Sequence, residues 1–123
     1  MRINTDDRFL SLERVGPDGP RVVWQVQATV AGDGCVMAVH DRVKVHTTDE
    51  TPERVADFAA HRAQRLELML SKGGWLRVNR APSGRTLLRY RFGQLSAGAS
   101  LEGEVRLEGE PAEMCCRELA QLL

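Results

Sequence analysis

Three histidines and three cysteines are the scarce reactive side chains of this 123-residue chain. His40-Asp41 has the residue types of a metal or phosphohydrolase centre. Such a centre needs further ligands at regular spacing. His46 and His61 supply none, and neighbours on a strand point to opposite faces. Cys115-Cys116 lacks the Cys-x-x-Cys spacing of a redox or zinc site and has no histidine nearby. Adjacent cysteines on one helix diverge, so bridging them would strain the disulfide; they read as small hydrophobes in a packed face. Ser83 and Ser96 lie in turns without a Gly-x-Ser-x-Gly elbow, and Gly32-Asp33-Gly34 is too short to cradle a phosphate. These residues point away from an enzyme, and from a metal or cofactor.

Charge gives a better lead. His40, Arg42, Lys44 and His46 fall on one parity of a strand-like run. That stripe fits either a phosphate or acidic partner, or the solvated side of a strand. Trp75 and Arg77, then Leu87, Arg89 and Arg91, share the outward parity of later strands, joined by Glu102, Glu104, Arg106 and Glu108. An accessible tryptophan among arginines is the usual make-up of an interaction hot spot, although Trp75 follows Gly73-Gly74 and could instead be half covered by that loop. The candidate partner-binding residues are therefore His40, Arg42, Lys44, Trp75, Arg77, Arg89, Arg91 and Glu104. Acid gathers elsewhere, in Asp6-Asp7, Asp49-Glu50 and Glu108-Glu110-Glu113. His61, four residues after Asp57 and four before Arg65, reads as part of a helix-surface ion pair.

These residues need a scaffold. The length suits one domain over 1–123 with a single core. The hydrophobic fraction of 42% and charged fraction of 28% are ordinary for a globular chain. Seventeen basic residues balance seventeen acidic ones, so the overall charge of a general nucleic-acid binder is missing. No apolar run reaches the ~20 residues of a membrane span. No apolar leader opens the chain, and the cysteines have no disulfide framework, so the cytoplasm is the expected setting.

The pattern runs twice: three strands then a helix, and again. Strands are predicted at 9–15, at 22–30 with Val22, Trp24, Val26 and Ala28 inward, and at 35–45. Asp41 breaks the apolar parity of the third, and a bulge near His40 would re-aim it. Thr51-Pro52-Glu53 caps a helix whose stripe, Val55, Ala59, Ala63, Leu66 and Leu70, runs on to Gly73-Gly74. Strands follow at 75–79, 86–92 and 101–107, and Pro111 opens a last helix with Cys115, Leu119 and Leu122 inward. Pairing Phe92 with Gly103, Tyr90 with Val105 and Leu88 with Leu107 sets the last hairpin. The expected architecture is a two-layer α+β fold: a mostly antiparallel six-stranded sheet, βββα-βββα, with both helices on one face.

Trp24-Gln25-Val26-Gln27-Ala28, the helix around Val55-Ala56-Asp57-Phe58 and the ending from Leu101-Glu102-Gly103-Glu104-Val105 to Leu122 carry a resemblance. With this layout the chain resembles small bacterial α+β domains of the immunity-protein type found in polymorphic toxin systems. The resemblance implies a non-catalytic inhibitor of one cognate toxin. Many such proteins that oppose nucleases are acidic; this neutral chain departs from that.

The leading expectation is a protein-binding module, most concretely an immunity or inhibitor protein using the open sheet face. A pocket between sheet and helices holding Asp41 and Tyr90 would instead indicate a ligand-binding or enzymatic domain. A homodimer that turns the face on itself is the third reading. A membrane role and nucleic-acid binding are not expected.

Overall fold

The computed structural model describes residues 1–5, 8–18, 21–32, 35–95 and 99–123, with side chains outside 16–21, 30–37 and 93–99. Among the described residues eight strands form one antiparallel sheet in chain order: β1 (Arg2–Asn4), β2 (Arg8–Asp18), β3 (Arg21–Gly32), β4 (Cys35–His46), β5 (Arg65–Leu70), β6 (Trp75–Arg80), β7 (Thr86–Leu95) and β8 (Ala99–Leu107). Helix α1 (Thr51–Ala59) follows β4, and α2 (Glu110–Gln121) follows β8. The α+β class and antiparallel order agree with the sequence. The strand number does not: there are eight rather than six, and each helix follows four strands rather than three.

The main correction lies in residues 60–70. The apolar spacing of Val55 to Leu70 fits a helix, but α1 stops at Ala59. His61 then adopts a left-handed φ of 61°, and the N–H groups of Arg62 and Ala63 both donate to the Asp57 carbonyl. The chain so reversed enters β5, whose Leu66, Leu68 and Leu70 are each 3% exposed. Alternation with Glu67 and Met69 buries all three leucines on one face. A short 3-10 turn, Ser71–Gly73, then leads to β6 instead of ending a helix. The start of α1 also differs. Thr51 does not cap it; Glu50 holds the cap position without a side-chain bond, and the Thr51 hydroxyl accepts from the Thr48 N–H at 2.8 Å.

One parity of the sheet faces a single core. Leu10 and Leu12, Trp24 and Val26, Val43, Leu76 and Val78, and Leu88, Tyr90 and Phe92 are essentially sealed. Phe58 from α1 and Cys115, Cys116 and Leu119 from α2 join the same cluster. Trp24 Nε1 donates to the Leu122 carbonyl at 3.1 Å, tying the end of α2 to β3. Burial of large side chains at roughly 1.5–3 kcal/mol each dominates the stability of such a core. The sheet also curls: β1 residues share a groove with Leu107 and the α2 residues Met114 and Cys115.

The last hairpin is registered two residues from the expected pairing. Phe92 faces Leu101, Tyr90 faces Gly103 and Leu88 faces Val105. Gly103 decides this, because its missing side chain leaves the space that the Tyr90 ring fills. The observed register also sets Arg89 against Glu104 and Arg91 against Glu102, which is electrostatically better than Arg89 against Arg106.

No bulge interrupts β4 at Asp41. Pairing with β3 runs without a shift through Gln27↔His40, Val26↔Asp41 and Gln25↔Arg42. Asp41 keeps its inward parity and is matched there: Lys72 Nζ lies 2.5 Å from Oδ2, and the Arg42 N–H donates to Oδ1 at 2.8 Å. Partial burial works against the charged carboxylate, but Lys72 and the Arg42 N–H outweigh it and hold the group below the usual range. A lowered folded pKa means stability present at neutral pH and lost as the carboxylate protonates in acid. Acid unfolding below about pH 4 should therefore shift to be less steep in Asp41→Asn, with lower stability at pH 7, as read by urea melts across pH.

Candidate partner-binding face

Extended backbone puts alternate residues on alternate faces, so the solvent side of the sheet can be read in rows across the strands. One row runs His46, Met69, Trp75, Arg91, Glu102. The next runs Glu67, Arg77, Arg89, Glu104. Six of the eight sequence candidates belong to, or adjoin, this block: Trp75, Arg77, Arg89, Arg91 and Glu104 directly, and Lys44 next to His46 on β4. His40 and Arg42 extend the same outward parity of β4 and are exposed. They are set apart, however, because β4 and β5 pair only through Val45↔Leu70 and His46↔Met69. The candidates thus form two groups that meet at His46 and Met69.

The groups differ in charge. On β5–β8 the arginines are matched: Arg77 lies 3.5 Å from Glu67, Arg89 is 3.1 Å from Glu104, and Arg91 is 3.7 Å from Glu102. Arg77 also lies over the Trp75 ring at 4.2 Å, a cation–π contact that fixes the indole. Arg89 and Arg106 hold the Glu104 carboxyl below the usual range, against a smaller desolvation effect. Exposed ion pairs of this kind are screened by solvent and add little stability, so they shape the surface more than they stabilise it. On β4, among the described residues, no carboxylate pairs with Arg42 or Lys44. Among the described residues, the hydrogen-bond partner of His40 is Gln25, at 2.6 Å. This stripe is the unneutralised basic part of the face.

Met69, which sequence reasoning placed in a helix, sits between the groups and is 49% exposed. Trp75 is half-buried. Together they give the charged face a small apolar centre. A period-two reading of Leu66 to Leu70 would have found Met69.

The remaining reactive residues are held in structural roles. Burial pushes the Cys115 thiol up to about 12 and raises that of Cys116, the latter despite the nearby Arg80 guanidinium. Both are free and buried. A protonated, shielded thiol is a poor nucleophile. Neither should be alkylated in the native protein at pH 8, and both should react once urea unfolds it, as mass spectrometry would show. Because their folded pKa values are raised, unfolded thiols ionise first, and stability should fall as pH rises above about 8.5. His61 does not pair with Asp57 or Arg65; it lies 3.7 Å from Glu113 on α2, while Asp57 binds Arg62 at 2.9 Å. Tyr90 is sealed and stacked on Phe92 at 5.3 Å between centroids, and Asp41 is engaged by Lys72. Among the described residues no group of three or more His, Cys, Asp or Glu side chains could hold a metal, and no helix is long and apolar enough to cross a membrane. No family model, no curated protein sequence and no solved structure matches the chain.

Proposed function

We propose that the protein is a non-enzymatic protein-binding module whose outer sheet face docks a partner, most concretely an inhibitor of the immunity-protein type that blocks a toxin domain in the cytoplasm. The observation that carries this reading is the row His46, Met69, Trp75, bordered on β4 by Arg42 and Lys44, which pair with no carboxylate among the described residues. It combines an apolar centre with a basic flank, and so favours a partner that presents acidic side chains around a hydrophobic contact. Charge of this kind sets orientation and encounter rate, while the aromatic centre supplies most of the affinity.

Arg42→Glu with Lys44→Glu should abolish capture of the partner that the native protein retains. Trp75→Ala should weaken the purified complex by about 2 kcal/mol, roughly thirtyfold in affinity by isothermal titration calorimetry. A partner held with unchanged affinity by both variants would remove the face from the function. Sedimentation at several concentrations separates this reading from self-association through the same face.

A further inference from the structure

We propose a second site: an arginine-lined cleft at the end of β5–β8 away from Trp75, which binds a small organic oxyanion, a phosphate ester or a polycarboxylate. It lies apart from Arg42, Lys44 and Trp75 and does not depend on the partner-binding reading. Its floor is the next row of the outer face, Arg65, Asn79, Leu87, Arg106. Beyond that row stand Arg80 and Thr86, and the β6–β7 turn brings Arg85 to the rim. The cavity is about 610 Å³. Four arginines line it against one carboxylate, Glu108, in a chain whose charges balance as a whole.

Three features point to a ligand. First, the excess charge is local and incompletely matched. Glu108 holds Arg85 at 2.9 Å and Glu104 draws on Arg106 at 3.4 Å, but among the described residues no carboxylate pairs with Arg65 or Arg80. Second, the deepest cation is already ordered. Arg80 is 8% exposed, its guanidinium fixed on the inner side by the Phe58 and Ala63 carbonyls, so it adds a fixed positive charge beneath the cleft while Arg65, Arg85 and Arg106 are the cations placed to touch an anion. Third, guanidinium groups match the planar, multi-acceptor geometry of phosphate and carboxylate, and Leu87 and Leu107 offer apolar surface for an organic body. The volume is in the range of small-molecule sites, about 300–1,000 Å³, and exceeds what a bare phosphate ion would fill.

Adenosine monophosphate, citrate and inorganic phosphate are the probes, titrated calorimetrically into the full-length protein at 50 mM salt or thereabouts. The expected result is a dissociation constant below about 1 mM for one organic probe, with inorganic phosphate at least about tenfold weaker. Tighter binding of the monophosphate assigns a phosphate ester; tighter binding of citrate assigns a polycarboxylate. Arg65→Ser with Arg85→Ser, both solvent-exposed positions, should keep the circular dichroism spectrum and melting temperature and lose at least about tenfold in affinity. Arg106→Gln should give a similar loss. Failure of every probe to bind below about 10 mM overturns the site, as does undiminished binding by both variants, or inorganic phosphate binding as tightly as either organic probe.

Discussion

Replacing Gly103 with alanine is expected to destabilise the protein by about 3 kcal/mol, the upper end of the cost of overpacking a core. The new Cβ would fall inside the Tyr90 ring, against Cζ and Oη and 2.6 Å from Cε2. The ring has nowhere to go: it is fully buried and stacked on Phe92. Either the ring must leave its rotamer or β8 must separate from β7. Urea denaturation would read the loss. Combining the change with Tyr90→Leu should cost less than the two single changes added together, because the clash is then gone. A loss below about 0.5 kcal/mol for Gly103→Ala would show that the glycine does not fix the register.

The second large effect is expected at Arg80. Its Nη2 donates to the carbonyls of Phe58 at 2.6 Å and Ala63 at 3.0 Å, and its guanidinium lies 4.3 Å over the Phe58 ring. It therefore closes the C-terminal end of α1, where carbonyls lack helical partners and a positive charge is favoured. Arg80→Ala takes the donor from the Ala63 carbonyl, at about 1–3 kcal/mol for such a buried group, leaves the Phe58 carbonyl with the His61 N–H alone, at 3.2 Å, and opens a cavity besides. The expected loss is about 4 kcal/mol by urea denaturation. Arg80→Met restores volume but no donors, so it should recover only part of it. Amide exchange should then rise first in α1 and at residues 60–64. If Arg80→Met were as stable as the native protein, the guanidinium would be filling space and nothing more.

Much of the sheet was legible because burial on one face imposes a strict period of two. Val22 to Ala28 and Leu88 to Phe92 show that period and are strands with the predicted faces inward. Gly32-Asp33-Gly34 is a tight hairpin signal in the sequence, and β3 and β4 do meet at Gly32↔Cys35, while Asp33 and Gly34 lie outside the described residues. Residues 55–70 failed because apolar spacing of three and four residues is shared by a helix and by a helix followed by an alternating strand. Only the reversal at His61 separates them, and no proline or glycine marks it. β1 is three residues long, too short for any period. The register of the last hairpin was missed because an absent side chain leaves no apolar signal. For the candidate face, parity sufficed to place His40, Arg42, Lys44 and the arginines of β6 and β7 outward. The expected register set Glu104 against Arg91, whereas the observed one sets Glu104 against Arg89 and Glu102 against Arg91. The arginine cleft was out of reach, because it gathers residues from four strands and a turn.

The brief pairing between β4 and β5 leaves most of one side of β4 without a neighbouring strand among the described residues, and this side bears on solubility. Backbone groups there resemble the margin on which a foreign chain would begin to stack. Two amides are already occupied, the Arg42 N–H by its neighbour Asp41 and the Lys44 N–H by the Ser71 hydroxyl at 2.9 Å. An added strand would have to displace both and accept the Asp41 carboxylate pointing into the layer beneath it, an arrangement that discourages fibrillar growth. The same acidic residue that interrupts the apolar rhythm of β4 thus acts as a guard against templated aggregation.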